Sequence, residues 1–212
     1  MARENSVDQE IRIDTQTIEQ AFDVLKKGGL VAFPTESWYG LAVDPLNNKA
    51  LERLFAVKQR PAIKPIPVIV GNRKQLHLLV REVPACYSSL MQTFWPGPLT
   101  LVFPARMDVP VSLTAGTGTV ALRHSSHPVA ARLAVGFGGP ITATSANISG
   151  ASPQTTAQGV AACFRSDLDM ILDGGRTPGG RASTVVSCLG GAVSCLREGQ
   201  IAFDEILTAV NR

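Results

Sequence analysis

Hydroxyls, amides and cations recur in short polar stretches of this chain, each set near the end of an apolar run. They are Pro34-Thr-Glu36, Lys58-Gln-Arg-Pro-Ala-Ile-Lys64, Thr117-Gly-Thr119 leading to Arg123, Thr144-Ser-Ala-Asn147 followed by Ser149-Gly-Ala-Ser152, Ser183-Thr184, and Arg197-Glu-Gly199. Lysine and arginine give charge-assisted hydrogen bonds to anions, and Gly and Ser turns offer nests of backbone N–H groups. The shared chemistry is capture of a phosphate-bearing ligand. Singly, each stretch has a plainer explanation: Lys58, Arg60 and Lys64 as a solvated turn after a helix, Ser145 and Asn147 as turn caps, Arg123 as half of a structural ion pair. Their recurrence in one short chain favours a common site.

The familiar templates for such chemistry are missing. There is no G-x-x-x-x-G-K-[ST] and no G-x-G-x-x-G after a strand, so neither a P-loop nor a dinucleotide fingerprint is present. There is no G-x-S-x-G elbow either. His124 and His127 form H-x-x-H without a nearby cysteine or carboxylate to complete a metal site, so no metal ligand is assigned. Cys86, Cys163, Cys188 and Cys195 lack C-x-x-C spacing and read as small core residues.

The elements that must position these residues follow from periodicity. Ile18, Ala21, Phe22 and Leu25 at helical spacing predict a helix that starts at Thr15 or Thr17 and stops at Gly28. Leu30 to Phe33 reads as a buried strand that Pro34 ends, because proline lacks the ladder donor. Helices are predicted over 48–57, 84–94, 128–135 and 157–164 and from Phe203, with strands over 68–70, 99–103, 119–123, 140–144, 170–172 and 183–186 and a hairpin-like return at Cys195-Leu-Arg197. Such alternation predicts an α/β sheet covered on both faces. In sheets of this kind strand ends converge on a crevice where ligands bind.

Composition sets the outer bounds. The 212 residues, 45% hydrophobic and 17% charged, suit a globular chain. No apolar run reaches the roughly 18 residues of a membrane helix, and MARENSVDQE has no apolar signal region. The expectation is a cytoplasmic protein with no membrane partner, a flexible segment at 1–11 and one domain over 12–212. A net charge of only +3 and no Lys/Arg run give no nucleic-acid tail, so any anion must be met by basic residues gathered in space.

The ordered motifs PTESWYGLAVD, KQRPAIKP, FWPGPLTLVF, VALRHSSHPVA, TSANISGASP, DGG…STVV and LREG resemble the YrdC-like family of threonylcarbamoyl-AMP synthases over nearly the whole chain. The resemblance implies an open twisted α/β sheet around a large basic cavity. It implies formation of threonylcarbamoyl-AMP and pyrophosphate from L-threonine, bicarbonate and ATP, with Mg2+ accompanying the ATP. The product would serve N6-threonylcarbamoyladenosine modification of tRNAs reading codons that begin with A, through a downstream tRNA threonylcarbamoyltransferase machinery. Carried over by position, Lys58, Arg60, Lys64, Thr119, Ser145, Asn147, Ser152 and Arg197 would hold ATP, with Lys58 and Arg60 catalytic through charge stabilisation. Thr35, Arg123 and Ser183 would hold threonine. Two positions depart from the family: Ala143 leaves only backbone contacts, and Ile69 stands where some members have histidine. The chain ends at Arg212 without the extra C-terminal domain of some relatives, which reads as the single-domain form.

Two other readings stay open at this level. One is an RNA-binding module of the same fold, which salt-sensitive tRNA binding would reveal but which 6% aromatic residues support poorly. The other is a different carbamoyl-adenylate reaction, as in relatives fused to hydrogenase-maturation carbamoyltransferases.

Overall fold

A computed structural model describes residues 13–61 and 63–210, so the segment expected at 1–11 lies outside the described residues. In chain order the elements are α1 (Thr15–Lys26), β1 (Val31–Pro34), β2 (Tyr39–Ala42), α2 (Asn48–Lys58), β3 (Val68–Ile69), a 3-10 turn (Arg73–Leu78), α3 (Tyr87–Phe94), β4 (Leu99–Pro104) and α4 (Val111–Thr114). There follow β5 (Thr119–Arg123), α5 (Pro128–Phe137), β6 (Ile141–Thr142), β7 (Thr144–Ser145), α6 (Ala157–Phe164), β8 (Met170–Ile171), β9 (Thr184–Ser187), β10 (Ser194–Arg197) and α7 (Phe203–Val210).

Local chemistry explains the boundaries. The carboxylate of Asp14 accepts the Thr17 N–H at 2.7 Å and starts α1, one residue before the predicted cap. Asn47 caps α2 through Ala50 N–H, and Thr156 caps α6 through Gly159 N–H. At the other end of α2, Gln59 is left-handed at φ 50°, with Gln59 N–H bonded to Ala56 O and Arg60 N–H to Phe55 O. That is a Schellman ending, and it turns the chain sharply between Lys58 and Arg60.

The strands divide between two mixed sheets where one was expected. The order is β7-β2-β1-β8 in the smaller and β10-β9-β4-β5-β3-β6 in the larger. The cause is visible in the run 140–144, which reads as one strand in the sequence, and in Ser145 after it. Ile141 and Thr142 pair with β3 of the larger sheet, whereas Thr144 and Ser145 pair with β2 of the smaller. Between them the Ala143 N–H bonds Pro67 O at 2.8 Å, and the chain changes sheet at that residue. Thr142 adds a tie, its Oγ1 accepting from Val43 N–H at 2.9 Å and donating to Leu41 O at 3.0 Å.

Helices cover the sheets from two sides. Ile18, Ala21 and Leu25 of α1 and Val129, Ala130 and Leu133 of α5 share a core with Val31, Phe33, Ile69 and Ile141. Side chains of α2, α3, α6 and α7 build a larger core with β2, β4 and β5. Each fully buried Leu, Ile or Phe contributes about 1.5–3 kcal/mol, enough to hold the strand ends rigidly around the space between the sheets.

Candidate functional site

Where the sheets diverge lies a cavity of about 610 Å³. Its lining includes Thr35, Arg60, Thr119, Arg123, Ser145, Ser183 and Arg197, seven of the eleven residues singled out from the sequence. Three of them are arginines, and among the described residues no carboxylate, histidine or cysteine joins the lining. Trp38, Val102, Val185 and Leu196 supply apolar wall. Lys58, Lys64, Asn147 and Ser152 are not among the lining residues. Lys64 and Ser152 are exposed, each one residue before a lining proline, Pro65 and Pro153.

Thr35 sits in the four-residue turn that joins β1 to β2. Its hydroxyl donates to Trp38 O at 2.7 Å and accepts Ser37 N–H at 3.2 Å, which fixes the turn and leaves the buried side chain against the cavity. Glu36, next in the same turn, reaches the larger sheet. One of its oxygens accepts from Arg123 Nη1 and the other from the Ser125 hydroxyl. This pair is nearly dry, the two side chains being 8% and 13% exposed. Burial, then repulsion from Arg197, pulls Arg123 down to about 10, so the guanidinium stays charged at neutral pH.

Arg197 lines the cavity from β10. It donates from Nε and Nη2 to Ser183 O at 3.2 and 2.9 Å, and from Nη2 to the Ser183 hydroxyl at 3.1 Å. That hydroxyl lies 2.8 Å from Thr100 Oγ1, a buried lining group that the sequence reading missed. The arrangement depends on Gly199, where an added Cβ would come within 2.1 Å of Ala182 O. The strand-end backbone can fold over residues 182–183 only without a side chain there.

Lys58 and Arg60 occupy different environments. Lys58 is 1% exposed, and its ammonium donates to Ser145 O at 2.5 Å, Asn147 O at 2.8 Å and Asn147 Oδ1 at 3.4 Å. Burial, then repulsion from Arg60, lowers it to about 8. Asn147 is equally committed, donating to Ile148 O and Ala151 O and accepting from the Ser145 hydroxyl at 2.6 Å. Lys58 and Asn147 therefore brace the 145–151 loop from behind. Beyond the left-handed Gln59, Arg60 faces the cavity. It donates to Pro65 O at 2.9 Å, and its buried Nε has no hydrogen-bond partner among the described residues. Burial lowers its pKa from the ordinary arginine value. A desolvated, unsatisfied guanidinium N–H is costly, and an anion beside it removes that cost.

Ile69 is fully buried in the core with Val129 and Ile141, while its neighbour Val68 lines the cavity. Alternation along β3 thus turns the departing residue away from the site.

The sequence profile of the Sua5/YciO/YrdC family, described as "Telomere recombination", matches residues 23–199. The chain belongs to this family. Among its relatives, the threonylcarbamoyl-AMP synthase of Pyrococcus abyssi is 40% identical over 92% of this chain and 57% of its own length. That of Bacillus subtilis is 38% identical over 94% and 58%. The Vibrio cholerae synthase is 40% identical over 75% of this chain and 86% of its own. The chain thus spans under two thirds of the first two relatives and most of the third. In structure, P. abyssi Sua5 complexed with L-threonine superposes with a TM-score of 0.90, at 40% identity over 93% of this chain and 58% of that one. Escherichia coli YciO shares the family fold, with a TM-score of 0.81 at 22% identity. The P. abyssi, B. subtilis and V. cholerae relatives all carry the name threonylcarbamoyl-AMP synthase.

Proposed function

We propose that this chain forms L-threonylcarbamoyl-AMP from L-threonine, bicarbonate and ATP, as a nucleotidyltransferase. The observation that carries the reading is the cavity itself, which gathers Thr35, Arg123 and Ser183 together with Arg60, Thr119, Ser145 and Arg197 in one family member. The threonine amine and bicarbonate give N-carboxy-threonine and water. The new carboxylate attacks the α-phosphorus of ATP, and pyrophosphate leaves. No protein nucleophile is required, so the chain's work is positioning and charge stabilisation.

Arg123, Thr35 and Ser183 take the threonine. Arg60, Thr119, Ser145 and Arg197 take ATP, with Lys64 and Ser152 at the rim, and Arg60 stabilises charge on the phosphates. Lys58 and Asn147 act by bracing the loop that presents Ser145. Among the described residues the cavity is lined by hydroxyls and no carboxylates, so Mg2+ would be held by the ATP phosphates and its own waters and not by a protein carboxylate. The metal would neutralise phosphate charge. Exclusion of water when substrates fill the cavity would protect the labile carbamate.

The adenylate then passes to a tRNA threonylcarbamoyltransferase machinery, which places the protein in the cytoplasm. Among the described residues no helix is long and apolar enough to cross a membrane. The test is pyrophosphate release from ATP and Mg2+, with threonine and bicarbonate omitted in turn. Release that needs both supports the reading, and release that needs neither refutes it.

A further inference from the structure

A cavity that serves this reaction must sort two anions of unlike charge, a triphosphate and a carboxylate. Guanidinium groups alone do not sort them, because arginine pairs bidentately with either. The three lining arginines differ in one respect. Arg60 and Arg197 bond only carbonyls and a hydroxyl, whereas Arg123 alone among the described residues of that set has a carboxylate partner, Glu36.

Glu36 is held from several sides. Its two oxygens take Arg123 Nη1 and the hydroxyl of Ser125, itself 1% exposed and bonded to His127 N–H at 3.2 Å. Its own carbonyl accepts from Gln200 Nε2 at 3.4 Å. The carboxylate therefore belongs to the smaller sheet's turn but is fixed against the larger sheet. Arg123 Nε and Nη2 have no protein acceptor among the described residues, and Arg123 lines the cavity.

We propose that Glu36 sets what the amino-acid end of the cavity accepts: it fixes Arg123 in position and cancels its charge, so that end takes a zwitterionic amino acid and refuses a phosphate. The inference rests on the reading above, in which Arg123 meets the threonine carboxylate. With Glu36 in place the Arg123 charge is offset, while its remaining N–H groups can still donate to the carboxylate of a ligand that is itself neutral overall. Without Glu36 the guanidinium charge is uncompensated, which favours a phosphate group carrying about −1.5 to −2 at pH 7. Glu36 is thus a positioning and specificity residue, acting through Arg123.

The test is calorimetric titration of wild type and the near-isosteric Glu36→Gln with L-threonine, and with inorganic phosphate in the presence of saturating ATP. ATP blocks its own subsite, so phosphate then reports the amino-acid end alone. Glu36→Gln should bind threonine about tenfold more weakly, roughly the effect of one lost charge-assisted contact. It should gain phosphate binding that threonine displaces, while its ATP affinity stays that of wild type. In an Arg123→Ala background the same change should add nothing further, since the two residues act as one unit. Ser125→Ala, which frees one carboxylate oxygen, should shift both ligands the same way by a smaller factor, and decides the matter if Glu36→Gln does not fold. Unchanged threonine and phosphate binding overturns the proposal. Equal weakening of threonine and ATP with a lowered Tm also overturns it, because Glu36 then merely holds the turn. Turnover does not enter these readouts: a wild type that binds threonine but releases no pyrophosphate refutes the synthase reading and leaves Glu36 decided. A wild type that does not bind threonine refutes both.

Discussion

Lys58 and Arg60 stand two residues apart and were equivalent cations in the sequence, yet the left-handed Gln59 sends them to different work. Removing Lys58 takes a donor from three oxygens of the 145–147 segment and leaves the Asn147 carbonyl without its ammonium partner. Lys58→Ala should therefore lower the stability of the ligand-free protein by about 1–3 kcal/mol, the cost of buried groups left unpaired, as read in urea unfolding. Arg60→Ala gives up one hydrogen bond to Pro65 O but also removes a buried Nε that is unsatisfied among the described residues, so the two effects offset. It should leave ligand-free stability near wild type and lower the rate of pyrophosphate release at least about tenfold, or roughly 1.4 kcal/mol of transition-state stabilisation. Equal stability losses in the two variants would contradict this division. The same logic separates Ser145 from Asn147. Asn147 spends its amide on loop carbonyls, so Asn147→Ala should cost about 1–3 kcal/mol of stability. Ser145 faces the cavity, so Ser145→Ala should weaken ATP binding with little change in Tm. Melting curves with and without ATP distinguish the two outcomes.

At the scale of elements, the longer helices were legible because their signals are local, whereas the four-residue α4 was not read from the sequence. The Asn47 and Thr156 caps, the apolar faces at 3.6 spacing and the lysine-rich end of α1 act within a few residues. β2 was not legible, since Tyr39-Gly-Leu-Ala42 follows a polar turn and is buried throughout, with no alternation to mark a strand. The split of 140–145 between sheets was invisible for a related reason: it depends on Pro67 and Thr142 contacts made far away in the sequence. The site residues on strand ends were readable by type, whereas Thr100 and the Glu36 partnership needed the fold to bring them together. Ile69 shows how facing decides role. Because it packs with Val129 and Ile141 in the core, Ile69→Ala should cost about 2–5 kcal/mol of stability and leave the threonine dissociation constant of the folded protein unchanged. A large loss of threonine affinity at unchanged stability would place that side chain at the site after all.

Across the whole molecule, the two sheets matter because neither alone surrounds a ligand. The smaller contributes Thr35 and Ser145, the larger Thr119 and Arg123, with Arg60 and Arg197 arriving from the end of α2 and from β10. The Glu36–Arg123 pair and the strand exchange at Ala143 tie the halves together. Such a frame can hold an amino acid against a nucleotide long enough for the carbamate to attack phosphorus. The most direct measurement is mass spectrometry of the product formed from ATP, Mg2+, L-threonine and carbon-13 bicarbonate by the purified protein. The account predicts a threonylcarbamoyl-adenylate carrying the label, formed with threonine and absent when threonine is withheld. An adenylate without the label, or no adenylate while ATP and threonine both bind, would contradict it.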